Sequence, residues 1–509
     1  MNSTWTGLCI STRGLFSSKA GLLVTNNNIS NSNTKGYSRQ EVNQVAVTPA
    51  AIYNSKYMIG SGSEVESVIR ARNDRLDQKY WQENSDLGEV QAKSDMLKEV
   101  ESIFGEADNK AFTKAMTDFN SALESVSTDP GSSSARKSLQ QKGKNFCEYL
   151  NSTSKKLTQL REGLNTEVKS AAEQINSYAS QIATLNSQIR AAAGCGASTN
   201  DLKDQRTLLL DKLSKLTDIT VNQAVVGKLA DGSDDIVLSV NAGGVTLVNN
   251  DKCRQLECYQ NADGMYGVRW QDTKEAFTPE GGELKAALEL RDGTGTNADY
   301  KGIPYYLNQL DNYAQTLAKV FNEGGSYTKA DGSTTTYPGH AGGYGLPAAA
   351  GATAPTGNRF FSYDSLTGTG LDYSKITAAN ISLSKEVLDN TNNIAAADAV
   401  GGTDNAKNID SLIDLLADSN MYTDGTPTDH MGSIITTLGV ASDYSDTMSK
   451  KQSSFVNTID TRRKSVSGVS SNEETANLTK YEEAYNASAI MVNTWSSIYK
   501  TTIDMVSDS

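Results

Sequence analysis

The sequence predicts a mainly α-helical protein with inserted β structure. The N- and C-terminal parts of the chain are expected to form a long antiparallel helical bundle or coiled coil, with one or two β-rich domains inserted in the middle. Apolar residues recur in steps of three and four over long segments at both ends. Between residues 218 and 270 the apolar period changes to two, as in strands. Only 8 prolines occur in 509 residues, so few positions interrupt a long helix.

The chain begins with an amphipathic pattern that predicts a helix over residues 5–23. Its apolar residues follow one helix face, and such a face needs a partner to cover it. The residues of this face that we assign to assembly contacts are Trp5, Leu8, Leu15, Phe16 and Leu22.

A tract rich in Asn and Ser follows, NNNISNSNTKGYSRQEV from Asn26 to Val42. Asn and Ser side chains bond to nearby backbone and Gly permits positive φ, so the tract predicts a turn of fixed geometry. A flexible linker fits the composition equally well. The sequence from residue 37 to residue 53 predicts an irregular strand or hairpin that Pro49 interrupts. The residues assigned to this signature turn are Asn27, Asn28, Asn33, Gly36 and Tyr37.

Residues 61–217 predict the N-terminal part of the helical bundle. A helical block begins near Val68, and a seven-residue repeat of apolar residues indicates a coiled-coil seam. The seam residues are Ile69, Leu76, Val90, Leu97 and Phe104. Residues 134–193 contain no proline and keep the helical period, so this helix would span roughly 80 to 90 Å. A further amphipathic helix follows in NDLKDQRTLLLDKLSKL.

The middle of the chain predicts two inserts separated by a helix. Residues 218–291 form a β-rich domain, because five alternating runs (ITVNQAVV, DDIVLSV, GVTLVNN, RQLECYQ and YGVRW) are separated by turn sequences. Residues 292–323 predict a helix that returns to the bundle. Residues 324–403 predict a Gly-rich, β-containing outer insert that starts as an exposed loop, and residues 404–471 the C-terminal part of the bundle.

Residues 472–509 predict a C-terminal helix with an apolar stripe that is too wide for one partner. A two-stranded coiled coil buries only a narrow seam, so this helix should contact several others. An ordinary core helix has the same periodicity, but a position at the chain end favours ordering on assembly. The stripe residues assigned to assembly contacts are Leu478, Tyr481, Tyr485, Val492, Trp495, Tyr499 and Val506. A second apolar row contains Ala484, Met491, Ile498 and Met505.

Charge and hydropathy exclude several classes of partner. The net charge of −13 disfavours binding to nucleic acid or to an anionic membrane. No run of 18 apolar residues indicates a membrane span, and residues 1–30 lack the apolar segment of a signal peptide. Residues 1–60 carry a net charge of +4 and residues 472–509 carry −4, so the two ends are electrostatic complements.

The sequence predicts no catalytic, cofactor-binding or metal-binding residues. His340 and His430 have no ligand partners at suitable spacing, and both are expected at the surface. The DGSDD sequence at residues 231–235 lacks the Glu of a calcium loop and predicts a hairpin turn. The 5 cysteines are scattered, which predicts free thiols; a local Cys253–Cys258 pair is the alternative.

Two stretches resemble bacterial flagellar axial proteins. The Asn-rich tract followed by Gly, an aromatic residue and Ser-Arg-Gln at residues 36–40 is similar to the hook-associated protein 1 (FlgK) family. The C-terminal run from Arg462 to Val506, with its Arg-Arg, Ser-Gly-Val and Ala-Tyr elements, resembles the same family. NDLKDQRTLLLDKLSKL and LDNYAQTLAKVFNE are weaker matches. Good matches cover roughly the first 60 and the last 60 residues.

The resemblance implies a non-enzymatic structural adaptor that joins hook to filament through helical assembly of its terminal helices. Residues 1–60 and 472–509 would then form an inner tube. The implied location is the extracellular flagellum at the hook–filament junction, reached through type III export. The implied partners are copies of itself, hook protein, hook-associated protein 3 and a cytosolic export chaperone at the C-terminal helix. The alternatives are another axial protein (hook protein or flagellin) and a secreted enzyme or adhesin carried on flagellar-type termini.

Overall fold

The computed structural model describes residues 5–51, 58–105, 111–228, 234–296, 299–328, 332–347, 352–368, 370–400 and 403–507. It confirms a mainly α-helical fold with long terminal helices and small antiparallel sheets in the middle of the chain. Among the described residues, no helix combines the length and apolarity that a membrane span needs.

Helices account for both ends of the chain and for its centre. They are α1 (Thr6–Ser30), α2 (Asp74–Phe104), α3 (Ala111–Thr128), α4 (Ser133–Gly194), α5 (Asn200–Leu216), α6 (Gly282–Asp292), α7 (Ile303–Glu323), α8 (Lys385–Asp389), α9 (Lys407–Leu416), α10 (Pro427–Ser467) and α11 (Ser471–Ser507). The strands are β1 (Gln40–Ala46), β2 (Ala50–Ala51), β3 (Met58–Ile59), β4 (Ser63–Arg70), β5 (Thr220–Lys228), β6 (Asp234–Ala242), β7 (Val245–Asn249), β8 (Lys252–Cys253), β9 (Leu256–Gln260), β10 (Tyr266–Trp270), β11 (Gly325–Thr328), β12 (Thr334–Tyr337), β13 (Phe361–Tyr363) and β14 (Ile381–Leu383).

We call the part of the structure outside α1 and α11 the body. The 62-residue helix α4 lies at its centre. It contacts α3, α5, α6, α7 and several of the strands, while α10 packs along α2. The apolar face predicted for α4 is buried against these neighbours. An aromatic cluster fills the core where α3, α4 and α7 meet, with neighbouring ring centroids 5.0 to 6.0 Å apart. Its members are Phe119, Phe146, Phe321, Phe360 and Phe361.

The β-rich insert consists of one four-stranded antiparallel sheet and a separate hairpin. The sheet has the order β5-β6-β7-β8, and β9 pairs with β10. All five alternating runs predicted as strands are strands in the structure. The fully buried Trp270 packs edge-on against Phe277, with ring centroids 5.3 Å apart. All five cysteines are free, including Cys253 on β8 and Cys258 on β9.

Two secondary-structure predictions differ from the structure. Helix α1 continues through the first Asn residues to Ser30 rather than ending at Leu23, because Asn27 and Asn28 bond to groups around the helix end. The block assigned to helix from Val68 begins as β4, which pairs with β1 in antiparallel register. Ile69, expected in a coiled-coil seam, lies on that strand and is 49% exposed.

The outer insert is more compact than a loop. Strand β11 pairs with β12 in antiparallel register, and Tyr337 at the end of β12 is buried. The prediction that both histidines lie at the surface is wrong. His340 is fully buried between Phe321 and Phe360, whereas His430 is partly buried and stacks on Tyr422.

The helices at the two chain ends form a separate arm. Helix α1 packs along α11 over much of its length. The arm meets the body at the β1–β4 pair, which also contacts α1, and at the turn between α1 and β1. We call this α1–α11 pair the terminal arm.

Candidate assembly interface

A seam of small residues on α1 forms the inner face of the terminal arm. Its members are Gly7, Ser11, Gly14, Ser18, Gly21, Thr25 and Asn28. They alternate in steps of four and three, which is the repeat of a coiled coil. A side chain larger than Ser is absent from the first five positions of the seam, so the backbones of α1 and α11 approach closely there.

Large residues of α11 fill the space that the seam leaves. A Cβ on Gly7 would overlap the ring of Trp495, and a Cβ on Gly21 would lie 2.5 Å from the ring of Tyr481. A Cβ on Gly14 would lie 3.0 Å from Oγ of Ser488. The three glycines are spaced by seven residues, as are their partners in reverse order, so the two helices run antiparallel in coiled-coil register.

The predicted stripe of α11 faces this seam. Tyr499 is 7% exposed and contacts Trp5, with ring centroids 4.8 Å apart. Five further stripe residues are partly buried: Leu478, Tyr481, Tyr485, Val492 and Trp495. The side chain of Val506 lies outside the described residues.

The residues predicted as the contact face of α1 lie outside this seam of small residues. Leu8, Leu15 and Leu22 are partly buried, whereas Trp5 and Phe16 are 54% and 61% exposed. The assignment of these residues to contacts between subunits remains a prediction. Sequence reasoning missed the small seam because it followed apolar residues alone. The seven-residue spacing of the three glycines was the signal that could have revealed it.

The outer surface of the arm carries exposed apolar residues that have no partner among the described residues. On α11, Ile498 is 46% and Met505 is 71% exposed, although both belong to a regular apolar row. Other large apolar residues exposed on the arm are Trp5, Phe16, Leu23, Ile490, Met491 and Ile503. A groove of about 630 Å³ runs between Ile490 and Met505. Apolar patches of this kind mark surfaces that other molecules cover.

Asn28 holds the signature turn together at the base of the arm. It is 1% exposed, and its side chain bonds to both backbone groups of Gln40 at 2.9 Å. Its Oδ1 also accepts from the hydroxyl of Tyr37 at 2.8 Å, and its Nδ2 donates to Glu474 of α11 at 3.1 Å. One amide therefore joins α1, β1 and α11. Burial, with added repulsion from Asp201, raises the pKa of Tyr37 to about 12.

The other predicted turn residues have smaller roles. Asn27 donates to the Tyr37 hydroxyl and accepts from Asn31, which caps the helix end. Gly36 has φ of +86°, a conformation that favours Gly. Asn33 is exposed. Side-chain bonds to the backbone thus hold the described residues of this tract in place.

Buried ion pairs attach the turn to the body. Asp204 of α5 accepts from the backbone and hydroxyl of Ser38 at 2.9 and 2.7 Å and pairs with Arg70 at 2.7 Å. Arg72 bonds to the Ser38 hydroxyl and to Asp77. Because each polar group is satisfied by a partner on another element, this network fixes the direction in which the arm leaves the body.

Arg463 near the end of α10 extends the same network. It pairs with Asp77 at 2.7 Å and with Asp211 at 3.1 Å, and its guanidinium lies 4.0 Å from the ring centroid of Tyr80. Burial raises the pKa of Asp211, and the charge of Arg463 opposes that shift. The complementary charges of the chain ends also meet here, since Arg39 pairs with Glu473 at 3.2 Å.

Within the described ranges, no group of three or more His, Cys, Asp or Glu residues could hold a metal ion. Part of the DGSDD sequence, residues 231–233, lies outside those ranges. His340 is committed to structural bonds, since its Nδ1 donates to the carbonyl of Asn358 at 2.7 Å and its Nε2 accepts from the amide of Ala395 at 2.9 Å.

Comparison with known proteins shows which proteins this chain resembles. The model of the flagellar hook-associated protein FlgK helical domain matches residues 97–332. Flagellar hook-associated protein 1 of Bacillus subtilis (strain 168) is 29% identical over 97% of this chain and 96% of its own length. The chain is similar to flagellar hook-associated protein 1 along almost its whole length. The Escherichia coli (strain K12) member is 22% identical over 97% of this chain and 98% of its own length.

A solved member of the FlgK family has the same fold. The structure titled the flagellar hook junction protein FlgK from Burkholderia pseudomallei aligns with a TM-score of 0.56 and 16% identity. The alignment covers 78% of this chain and all of that chain.

Proposed function

We propose that this protein is a non-enzymatic structural subunit of the bacterial flagellum that joins hook to filament. The observation that carries the proposal is the exposed apolar surface of the terminal arm, on a chain that matches hook-associated proteins over 97% of its length. Arms of successive copies that pack side by side would cover this surface. Contacts between unlike faces of like subunits generate rings or open helices, which suits an axial structure.

The proposed partners follow from the same surface. Copies of this chain cover the arm, hook protein lies on one side of the assembly, and hook-associated protein 3 lies on the other. A cytosolic export chaperone masks α11 before export, because Ile498 and Met505 would otherwise be exposed to water in the cytosol. The proposed location is the extracellular hook–filament junction, reached through type III export.

The alternative functions have less support. The relatives that match almost the whole chain are hook-associated proteins, which favours this class over hook protein and flagellin. A secreted enzyme or adhesin on flagellar-type termini would need a reactive cluster in the middle of the chain. The described part of that region contains no group of three or more His, Cys, Asp or Glu residues that could hold a metal ion.

The test is to make the outer row of α11 polar. In cells that produce Ile498→Ser with Met505→Ser, we expect hooks without filaments and flagellin in the medium, as in cells that lack the gene. The matched control is Ile236→Ser on β6, which removes an apolar side chain that is 51% exposed but distant in sequence from the arm. Normal filaments in the Ile498 and Met505 variant would refute the proposal.

A further inference from the structure

A large polar cleft lies at the base of the arm, outside its apolar surface. It has a volume of about 1320 Å³ and is bounded by the signature turn, α5, the end of α10 and the segment that leads into α11. Seven cationic side chains line it against four acidic ones. The cations are Lys35, Arg39, Arg72, Lys212, Lys215, Arg463 and Lys464. This cationic excess contrasts with the net charge of −13 of the whole chain.

Most of these cations already have acidic partners. Lys215 pairs with Glu283 at 2.9 Å and Lys464 with Asp460 at 2.7 Å, and the arginines pair as described above. Lys35 and Lys212 differ, since neither forms an ion pair with any described residue. Both are exposed, and Lys212 Nζ lies 6.0 Å from the ring centroid of Tyr178 on the wall of the cleft.

The arm carries the complementary charge. Glu482 and Glu483 of α11 are exposed and also lack an ion-pair partner among the described residues. Glu483 lies seven residues before Ile490, so the two share one row on the outer face of α11. A neighbouring copy that covers the apolar row of α11 is therefore placed close to these two carboxylates.

We infer that Glu482 and Glu483 of one copy dock at Lys35 and Lys212 in the cleft of the next copy. The inference rests on the proposed function, because it requires arms that pack side by side. Glu473 lines the cleft, and Glu482 lies nine residues further along α11. At 1.5 Å per residue, neighbouring arms would then be staggered by about 14 Å along the helix axis. The contact fixes this stagger, whereas apolar rows alone permit sliding.

Cross-linking between two different chains tests the contact directly. One chain carries Lys212→Cys and the other Glu482→Cys, each with Cys9, Cys195, Cys253 and Cys258 replaced by Ser. Flagella from cells that produce both chains are treated with a short bismaleimide. We expect a dimer on a denaturing gel, and none from cells that produce either chain alone. The matched control replaces Glu482→Cys by Lys385→Cys, an exposed site on α8.

Charge exchange provides a second readout. Lys35→Glu with Lys212→Glu should cause filament loss, as should Glu482→Lys with Glu483→Lys. All four changes in one chain should restore filaments, because every interface then regains opposite charges. Attached filaments together with no dimer from the two-chain experiment would overturn this contact and leave the proposed function intact. A chain that is absent from flagella would overturn both.

Discussion

At the scale of single residues, the glycines of the arm are the positions that tolerate a larger side chain least. A Cβ on Gly21 would lie 2.5 Å from the ring of Tyr481, and an aromatic ring in a helix pair has little room to move. We expect Gly21→Ala to destabilise the pairing of α1 and α11 by about 1 to 3 kcal/mol. Amide hydrogen exchange of the purified chain should show lower protection throughout α1 and α11.

The matched control is Gly163→Ala on α4. An added Cβ there meets no atom within 4 Å, and Ala favours the helix by up to about 1 kcal/mol over Gly. Protection of α4 should therefore stay the same or rise. Unchanged exchange of the arm in the Gly21 variant would show that the seam does not hold the helices together.

His340 makes the outer insert sensitive to acid. Its complete burial, reinforced by the charge of Arg136, lowers its pKa from 6.5 to about 4. As the pH falls through 6.5 the unfolded chain takes up the proton first, so the free energy of unfolding should decrease by roughly 3 kcal/mol between pH 7 and pH 4. Above pH 6.5 the chain loses no stability through protonation of His340.

The measurement uses the small number of histidines. With only 2 in the chain, histidine-selective isotope labelling gives two ring signals, and His340→Gln assigns them. The signal of His340 should keep its neutral shift down to about pH 4. Titration near pH 6.5 would mean that the ring is exposed in solution.

The burial of individual side chains was the feature hardest to predict from the sequence. His340 stands among glycines and prolines, which is typical of an exposed loop. Its burial depends on Phe321 and Phe360, which are distant along the chain and come together only in the folded insert. Asn28 could be anticipated as a turn residue, but its bond to Glu474 joins opposite ends of the chain.

At the scale of elements, periodicity was a reliable guide where one face is buried. The long helix α4 and strand β6 follow their predicted periods because each has an apolar face against the core. The prediction failed at β4, whose apolar residues also fit a helical repeat. Pairing with β1 determines the strand conformation of β4, and no local sequence pattern indicates that pairing.

The junction of α1, β1 and α11 should depend on Asn28 more than on any other Asn of the turn. Asn28→Ala leaves both backbone groups of buried Gln40 and one oxygen of Glu474 without this partner, which should cost about 1 to 3 kcal/mol for each buried group that stays unsatisfied. We expect faster hydrogen exchange in β1 and at the start of α11.

Asn33→Ala is the matched control, because Asn33 belongs to the same tract and is exposed. Its exchange should equal that of the unmodified chain. Equal effects of the two substitutions would mean that the tract acts as a linker rather than as a turn of fixed geometry.

At the scale of the whole molecule, the arm and the body should be separable. The hydrophobic core lies in the body, and the arm joins it through the β1–β4 pair and the polar turn. Removal of residues 472–509 should leave the thermal unfolding of the body unchanged within a few degrees, since few core residues are lost. In cells the same truncation should block filament attachment.

In the full-length monomer, the outer face of the arm has no cover, so the arm should exchange its amides faster than the body. Strong protection across residues 478–506 in the monomer would contradict this expectation. Circular dichroism of the truncated chain and hydrogen exchange of the full chain therefore both test whether the arm and the body are separable.

In the assembled flagellum, copies of this chain are expected to cover the apolar surface of one another's arms. Electron cryomicroscopy of the hook–filament junction from cells that produce this protein tests it most directly. The expected map shows α1 and α11 on the inner side of the assembly, with Ile490, Ile498 and Met505 buried against neighbouring copies. A map in which these residues face solvent while the β-rich middle forms the lattice would contradict the account.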